Sequence, residues 1–187
     1  NEFNEIICLS KQYQDYVFCK KNFKKKVQVI YNGAENFYYN IKNFRKKNKI
    51  IKEDIVLLYL SNIKFMKGQD KFLKILSKLS NEKIKAYFVY ANSPNYFYLK
   101  YLKSKTEKIK SKNPNIKIEF IKNTSLNQKR EIFSKCDYFI GTSRVECSPL
   151  VMFEALAAGK IYLGTDVGNC KEILKKIPPC YVDNSTS

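Results

Sequence analysis

Histidine is missing from all 187 positions of this chain. Its absence removes the commonest general base from any mechanism the chain could run. Cysteines stand at 8, 19, 136, 147, 170 and 180 and never form a Cys-x-x-Cys pair. Without histidine or paired cysteines a zinc site is disfavoured. No run of eighteen apolar residues occurs, which excludes a membrane-spanning helix read from hydropathy. The N-terminus lacks the basic-then-apolar layout of a secretory signal. These absences lead us to expect a cytoplasmic location with free thiols. No internal repeat is present.

Arginine is scarce as well, with only Arg45, Arg130 and Arg144 among 35 basic residues. Against 17 acidic residues these give a net charge of +18. Three explanations compete, in this order. Lysine, asparagine, isoleucine and tyrosine are jointly abundant, as in a genome rich in A and T, so the charge can be compositional. It can also attract the chain to an anionic membrane face. Nucleic-acid binding comes third, because the lysines are spread along the chain rather than gathered in one stripe.

The length suits about one domain, and a 44% hydrophobic fraction supplies a core. Glu5 to Ser10 reads as a short strand. Lys11 to Phe23 reads as a helix with Tyr13, Tyr16, Val17 and Phe18 on its apolar side, and Val27 to Tyr31 as another strand. Asn32-Gly33 is then a turn signal, which by itself fits an ordinary hairpin. Residues 42–54 are densely charged and read as a solvated linker. From Ile55 the pattern becomes regular. Ile55 to Leu60 is continuously apolar, as in a strand buried on both faces. Helices are expected over Lys67 to Leu79, Pro94 to about Lys112 and Leu126 to Ser134. Strands are expected at Lys85 to Tyr90, Ile116 to Ile121, Asp137 to Gly141 and Lys160 to Gly164. This alternation predicts an α/β fold: a Rossmann-like parallel sheet with helices on both faces. Ligands of such sheets bind beyond the C-terminal strand ends.

One stretch combines several chemical signals there. Residues 142–168 read TSRVECSPLVMFEALAAGKIYLGTDVG. Ser148 is a good helix N-cap and Pro149 suits the first helical position. The next helix, from Leu150 to Gly159, is apolar nearly all round and is therefore expected to be buried. Glu154 interrupts it, and a buried carboxylate needs a partner. Glu146 lies just before the helix. The free N–H groups at a helix N-terminus attract phosphate. An acid on each side of an anion site suits a sugar, a diphosphate and a ribose. The alternative is that Glu154 pairs with a neighbouring lysine and Glu146 is a solvated loop residue.

The segment ECSPLVMFE, with seven residues between its glutamates, resembles the signature of retaining glycosyltransferases of the group 1 (family 4) type. The continuation ALAAGKIYLGTDVGNCKEIL resembles the stretch C-terminal to the signature in that family. The resemblance implies the C-terminal, nucleotide-sugar-binding half of a GT-B fold. Residues 1–45 would be the tail of a missing N-terminal domain with its linker, Asn32-Gly33-Ala34-Glu35 marking the passage between domains. Residues 46–187 would be the donor domain, truncated at its C-terminal end. Glu146 would lie near the donor sugar's hydroxyls and Glu154 would bond the ribose. Lys67, before Gly68, would stabilise the diphosphate, with Gly68 letting the backbone approach it. Asn62 stands where the family has an arginine, and Lys64 is the candidate substitute. Ser148, Pro149 and Leu150 would present the helix tip, with the Leu150 N–H as donor. A side chain at Cys147, where the family commonly has glycine, would narrow the sugar pocket. Asn123 would border the base, and Asp166 and Gly168 would face the sugar. Gly168 also reads simply as a positive-φ position, Glu172 as structural, and Lys67 as a surface lysine at a helix start.

The implied activity is retaining transfer from a nucleotide-diphosphate sugar to a glycan or a lipid-linked acceptor held by the absent half. No cofactor is implied beyond the NDP-sugar donor, and no Asp-x-Asp metal motif is present. A lipid-linked acceptor would give the charge a purpose at the inner membrane face. The alternative class is a basic nucleic-acid-binding α/β module with stacking aromatics. It is disfavoured because the tyrosines mostly fall on strands and apolar helix faces. A dinucleotide binder would need a G-x-G-x-x-G turn after Leu60, and residues 61–68 do not supply one.

Overall fold

The computed structural model describes residues 3–35, 54–80, 82–91, 95–122 and 125–183. Most of the expected linker, and Asn123 and Thr124, lie outside these residues. The main body is a six-stranded, wholly parallel sheet in the order β5-β4-β3-β6-β7-β8. Its strands are β3 (Ile55–Leu60), β4 (Ile84–Tyr90), β5 (Ile116–Lys122), β6 (Tyr138–Gly141), β7 (Ile161–Thr165) and β8 (Tyr181–Asp183). Helices α2 (Gln69–Leu76), α3 (Tyr96–Lys112), α4 (Leu126–Lys135), α5 (Leu150–Ala157) and α6 (Cys170–Leu174) alternate with them.

The apolar run of β3 explains its central place. Val56, Leu57, Leu58 and Tyr59 are all buried, and alternate residues feed opposite faces. Leu57 and Tyr59 join Phe72, Leu76, Phe88 and Leu102 beneath α2 and α3. Val56 and Leu58 join Phe133, Phe139, Met152 and Leu174 beneath α4, α5 and α6. The expected sheet with helices on both faces is therefore present. β8 was not anticipated. It has three residues on a sheet edge, too few for a periodic signal.

Side-chain caps set two helix starts. Asn95 accepts the Tyr98 N–H at 2.9 Å and Ser125 the Gln128 N–H at 3.2 Å. The long helix expected from Lys67 instead divides into a 3-10 turn (Phe65–Lys67) and α2, with Gly68 between them.

The N-terminal segment forms a separate unit, β1 (Glu5–Cys8), α1 (Gln14–Asn22) and β2 (Lys26–Val29). β1 and β2 pair in parallel, so the hairpin alternative fails. α1 buries none of its residues, and Val17 and Phe18 are exposed. Its expected apolar side lacks a covering layer, because only two strands lie beneath it.

This unit is tied to the main sheet by Glu172 of α6. Its carboxylate accepts hydrogen bonds from Ser10 Oγ at 3.0 Å, the Lys11 N–H at 3.2 Å and the Tyr31 hydroxyl. Burial raises the carboxyl pKa, but the bonds from Tyr31, Ser10 and Lys11 outweigh it and hold the group below the ordinary glutamate range. A depressed folded-state pKa stabilises fully above the unfolded value and loses that contribution as pH falls through the folded one. Glu172→Gln is expected to lower stability by about 1–3 kcal/mol at neutral pH. The gap to wild type should close in strong acid, which urea midpoints at the two pH values would check.

Candidate active site

A cleft of about 390 Å3 opens beyond the C-terminal ends of β3 and β6. β3 is followed by β4 on one side while β6 lies on the other, so successive crossovers diverge there. Such a switch point is where open parallel sheets hold ligands. Tyr59, Asn62, Lys67, Glu146, Ser148 and Leu150 are among the lining residues.

Two loops are locked together to build it. Gly68 has φ of +69°, and a Cβ there would lie 1.9 Å from the Thr142 carbonyl oxygen. Only glycine permits both that φ and that contact. The close neighbour of Gly68 is thus the Thr142–Ser143 backbone rather than an open anion space. Thr142 Oγ1 donates to the Gly68 carbonyl at 2.7 Å, and the buried Tyr59 hydroxyl donates to the Lys67 carbonyl. Burial pushes the Tyr59 phenol up to about 12, keeping it a donor at neutral pH.

Arg144 closes the same joint from outside. Its backbone N–H donates to the Met66 carbonyl at 2.8 Å and its Nη1 to the Phe65 carbonyl at 2.7 Å. Its guanidinium forms a bidentate pair with Asp70, at 2.8 and 2.7 Å, and lies 3.8 Å from the Phe65 ring centroid. Burial raises the Asp70 carboxyl, but Arg144 and the Tyr98 hydroxyl hold it below its usual range.

Within this frame Lys67 Nζ reaches Glu146 Oε1 at 2.5 Å, and Ser143 Oγ donates to the same oxygen at 2.8 Å. The two side chains are 30% and 15% exposed, so the pair is sheltered but open to a ligand. Glu146 is therefore a paired residue lining the cleft, not a solvated loop residue.

The tip of α5 faces the cleft. Its cap differs from the expectation, because Pro149 rather than Ser148 is the N-cap and the helix begins at Leu150. The Ser148 hydroxyl is engaged elsewhere, accepting from Asn169 Nδ2 at 2.9 Å, while its carbonyl accepts from Asn32 Nδ2 at 3.1 Å. Leu150 is 55% exposed, so packed protein does not cover the tip. The helix is also less buried than its composition implied, with Met152 and Ala155 its buried residues. Its N-terminal N–H groups precede the first intrahelical bonds and point outward.

Glu154 lies one turn along from Leu150, on the same helix face. It does not line the cleft. Lys129 of α4 donates to its Oε1, in line with the lysine-paired alternative, while Oε2 is buried without a partner. That oxygen is an unused acceptor.

The remaining candidates separate. Asn62 lines the cleft and its carbonyl accepts from Gln69 Nε2 at 2.8 Å. Lys64 is exposed and outside the lining, so it is not brought to the position expected of a substitute for arginine. Cys147 is not in the lining either, so the expected narrowing by its side chain fails. Gly168 has φ of +57°, and a Cβ there would meet the Cys147 carbonyl oxygen at 2.1 Å. It is a packing glycine beneath the 146–148 loop. Asp166 pairs with Lys171 at 3.8 Å. Asn123 falls outside the described residues. Among the described residues, no three His, Cys, Asp or Glu side chains gather as metal ligands.

A parallel α/β domain with an acid–lysine pair and a helix tip at its switch point is the frame of a transferase domain. Residues 40–177 match the family model for glycosyl transferases group 1, and the chain belongs to that family. An uncharacterized glycosyltransferase of Methanocaldococcus jannaschii is 24% identical over 179 residues, covering 91% of this chain and 44% of the relative. The structure resembles Anabaena HepE in complex with UDP-glucose (TM-score 0.71, 21% identity), covering 92% of this chain and 48% of that one. It also resembles WaaG, a glycosyltransferase involved in lipopolysaccharide biosynthesis (TM-score 0.73, 20% identity), covering 94% and 48%. The chain spans less than half the length of these relatives.

Tyr59, Asp70, Lys129 and Arg144 were not singled out from the sequence. Their roles depend on partners far along the chain, and only the scarcity of arginine could have drawn attention to Arg144. Arg144→Ala should cost about 1–3 kcal/mol of stability through loss of charge-assisted bonds. Amide exchange in peptides covering residues 64–70 should accelerate, as hydrogen-exchange mass spectrometry would register. Unchanged exchange there would show that the joint holds without Arg144.

Proposed function

We propose that this chain is the donor-binding, C-terminal half of a retaining glycosyltransferase. The observation that carries the reading is the convergence of Lys67, Glu146 and the α5 tip in one cleft. The donor's diphosphate would lie over the tip, accepting the Leu150 N–H, with Lys67 leaving Glu146 to neutralise the phosphates. Glu146, released, would accept from sugar hydroxyls. The unused Oε2 of Glu154 would accept from the ribose, with Lys129 holding the carboxylate in place. HepE was crystallised with UDP-glucose, which supports a nucleotide sugar as the donor class.

In the transfer step the bond between the anomeric carbon and the diphosphate oxygen breaks, and its electron pair leaves with the nucleoside diphosphate. Lys67 and the helix tip stabilise that developing charge, which is electrostatic catalysis. The acceptor hydroxyl forms the new bond on the same face and gives up its proton. A glycan or lipid-linked acceptor would be held by a partner half, which residues 1–35 would adjoin. The chain alone would bind donor weakly and transfer nothing. A cytoplasmic location fits six free thiols.

Calorimetric titration with UDP, GDP and ADP tests the reading. Glu154→Gln is expected to weaken nucleotide binding about ten-fold or more by loss of a charged acceptor. Lys67→Ala should weaken diphosphates but leave uridine unaffected. Circular dichroism would establish that both variants fold. Equal affinities for wild type and Glu154→Gln would reduce Glu154 to a partner of Lys129.

A further inference from the structure

Helix α3 carries a surface that the cleft does not use. Phe97, Tyr101, Lys105, Lys108 and Lys112 recur at steps of four, four, three and four residues and share one face. The aromatic end is bare. Phe97 is 82% exposed, Tyr96 69% and Tyr101 46%. Phe65, whose ring lies 6.0 Å from that of Tyr98, adds another exposed aromatic beside this end. Aromatics are thus not confined to strands and apolar helix faces, as the sequence suggested.

The basic end is equally one-sided. Between α2 and α3 runs a groove of about 520 Å3, with Leu73, Leu76 and Ile109 among its lining. Lys74, Lys105, Lys108 and Lys112 also line it. The acids nearby are already engaged. Asp70 is held by Arg144, and Glu107, the one acid of α3, pairs with Lys110 at 3.2 Å. The face therefore presents uncompensated positive charge along a shallow apolar floor.

Aromatics and lysines are separated along this stripe rather than interleaved. Stacking on single-stranded nucleic acid wants aromatics set into the basic track. A bilayer interface wants apolar and aromatic tips at headgroup depth beside lysines that meet lipid phosphates. We propose that the α2–α3 face docks on an anionic lipid surface, with Tyr96 and Phe97 entering the headgroup layer and Lys105, Lys108 and Lys112 on its phosphates. This rests on the exposed face alone and stands whether or not the cleft binds a nucleotide sugar.

The chain has no tryptophan, so Phe97→Trp provides a single reporter. Vesicles of phosphatidylcholine with phosphatidylglycerol should shift its emission to the blue, and bromine-labelled acyl chains should quench it. Pure phosphatidylcholine should do neither, and added salt should reverse the effect. In flotation assays Phe97→Ser should lower partitioning about ten-fold. Replacing Lys105, Lys108 and Lys112 together by glutamine should lower it on the order of a hundred-fold. Flotation without an emission change would overturn the proposal, since another face would then be binding. So would failure to float at low salt, or a spectral change with a single-stranded oligonucleotide and none with vesicles. UDP titration of the triple lysine variant separates this outcome from failure of the donor reading.

Discussion

The site depends on one backbone contact, the approach of the Gly68 turn to the Thr142 carbonyl. No side chain fits between them. These two loops leave different strands, β3 and β6, and each carries one member of the Lys67–Glu146 pair. A larger residue at 68 would part the loops and the pair with them. Arg144, Asp70, Tyr59 and Thr142 all brace this joint, which shows how much of the local chemistry is spent on holding position. Charged side chains held this way cost little reorganisation when a ligand arrives.

Charge in the cleft is balanced before any ligand enters. Lys67 neutralises Glu146 and Lys129 neutralises Glu154. Buried or half-buried carboxylates would otherwise be costly. The pairing separates a ligand-ready site from a merely basic one, because an incoming diphosphate must compete with Glu146 for Lys67. It also sets specificity, since a neutral ligand offers no replacement for the broken pair. The net charge of +18 therefore says little about the cleft, where acid and base are matched.

Elsewhere the charge is unmatched, and the contrast is informative. On the α2–α3 face lysines outnumber available acids and exposed aromatics sit at one end. The N-terminal unit is held differently again, by hydrogen bonds converging on Glu172 and by Asn32 reaching the Ser148 carbonyl. That second bond links residues before the main sheet to the loop carrying Glu146. Movement of the unit would thus be felt at the cleft edge.

Much of this architecture was legible in the amino-acid order. The continuous apolar run of β3, the alternating strands and helices, and the acid–helix–acid segment follow from periodicity and local chemistry, which depend on near neighbours. So did the structural reading of Glu172. Tertiary structure alone decided what depends on distant partners. It put Lys64 and Cys147 outside the cleft, assigned Lys129 to Glu154, freed the Ser148 hydroxyl from capping and left α1 without a covering layer. Residues 65 and 144, or 129 and 154, meet only once strand order is set. Strand order is a property of the whole sheet, which no window of sequence contains.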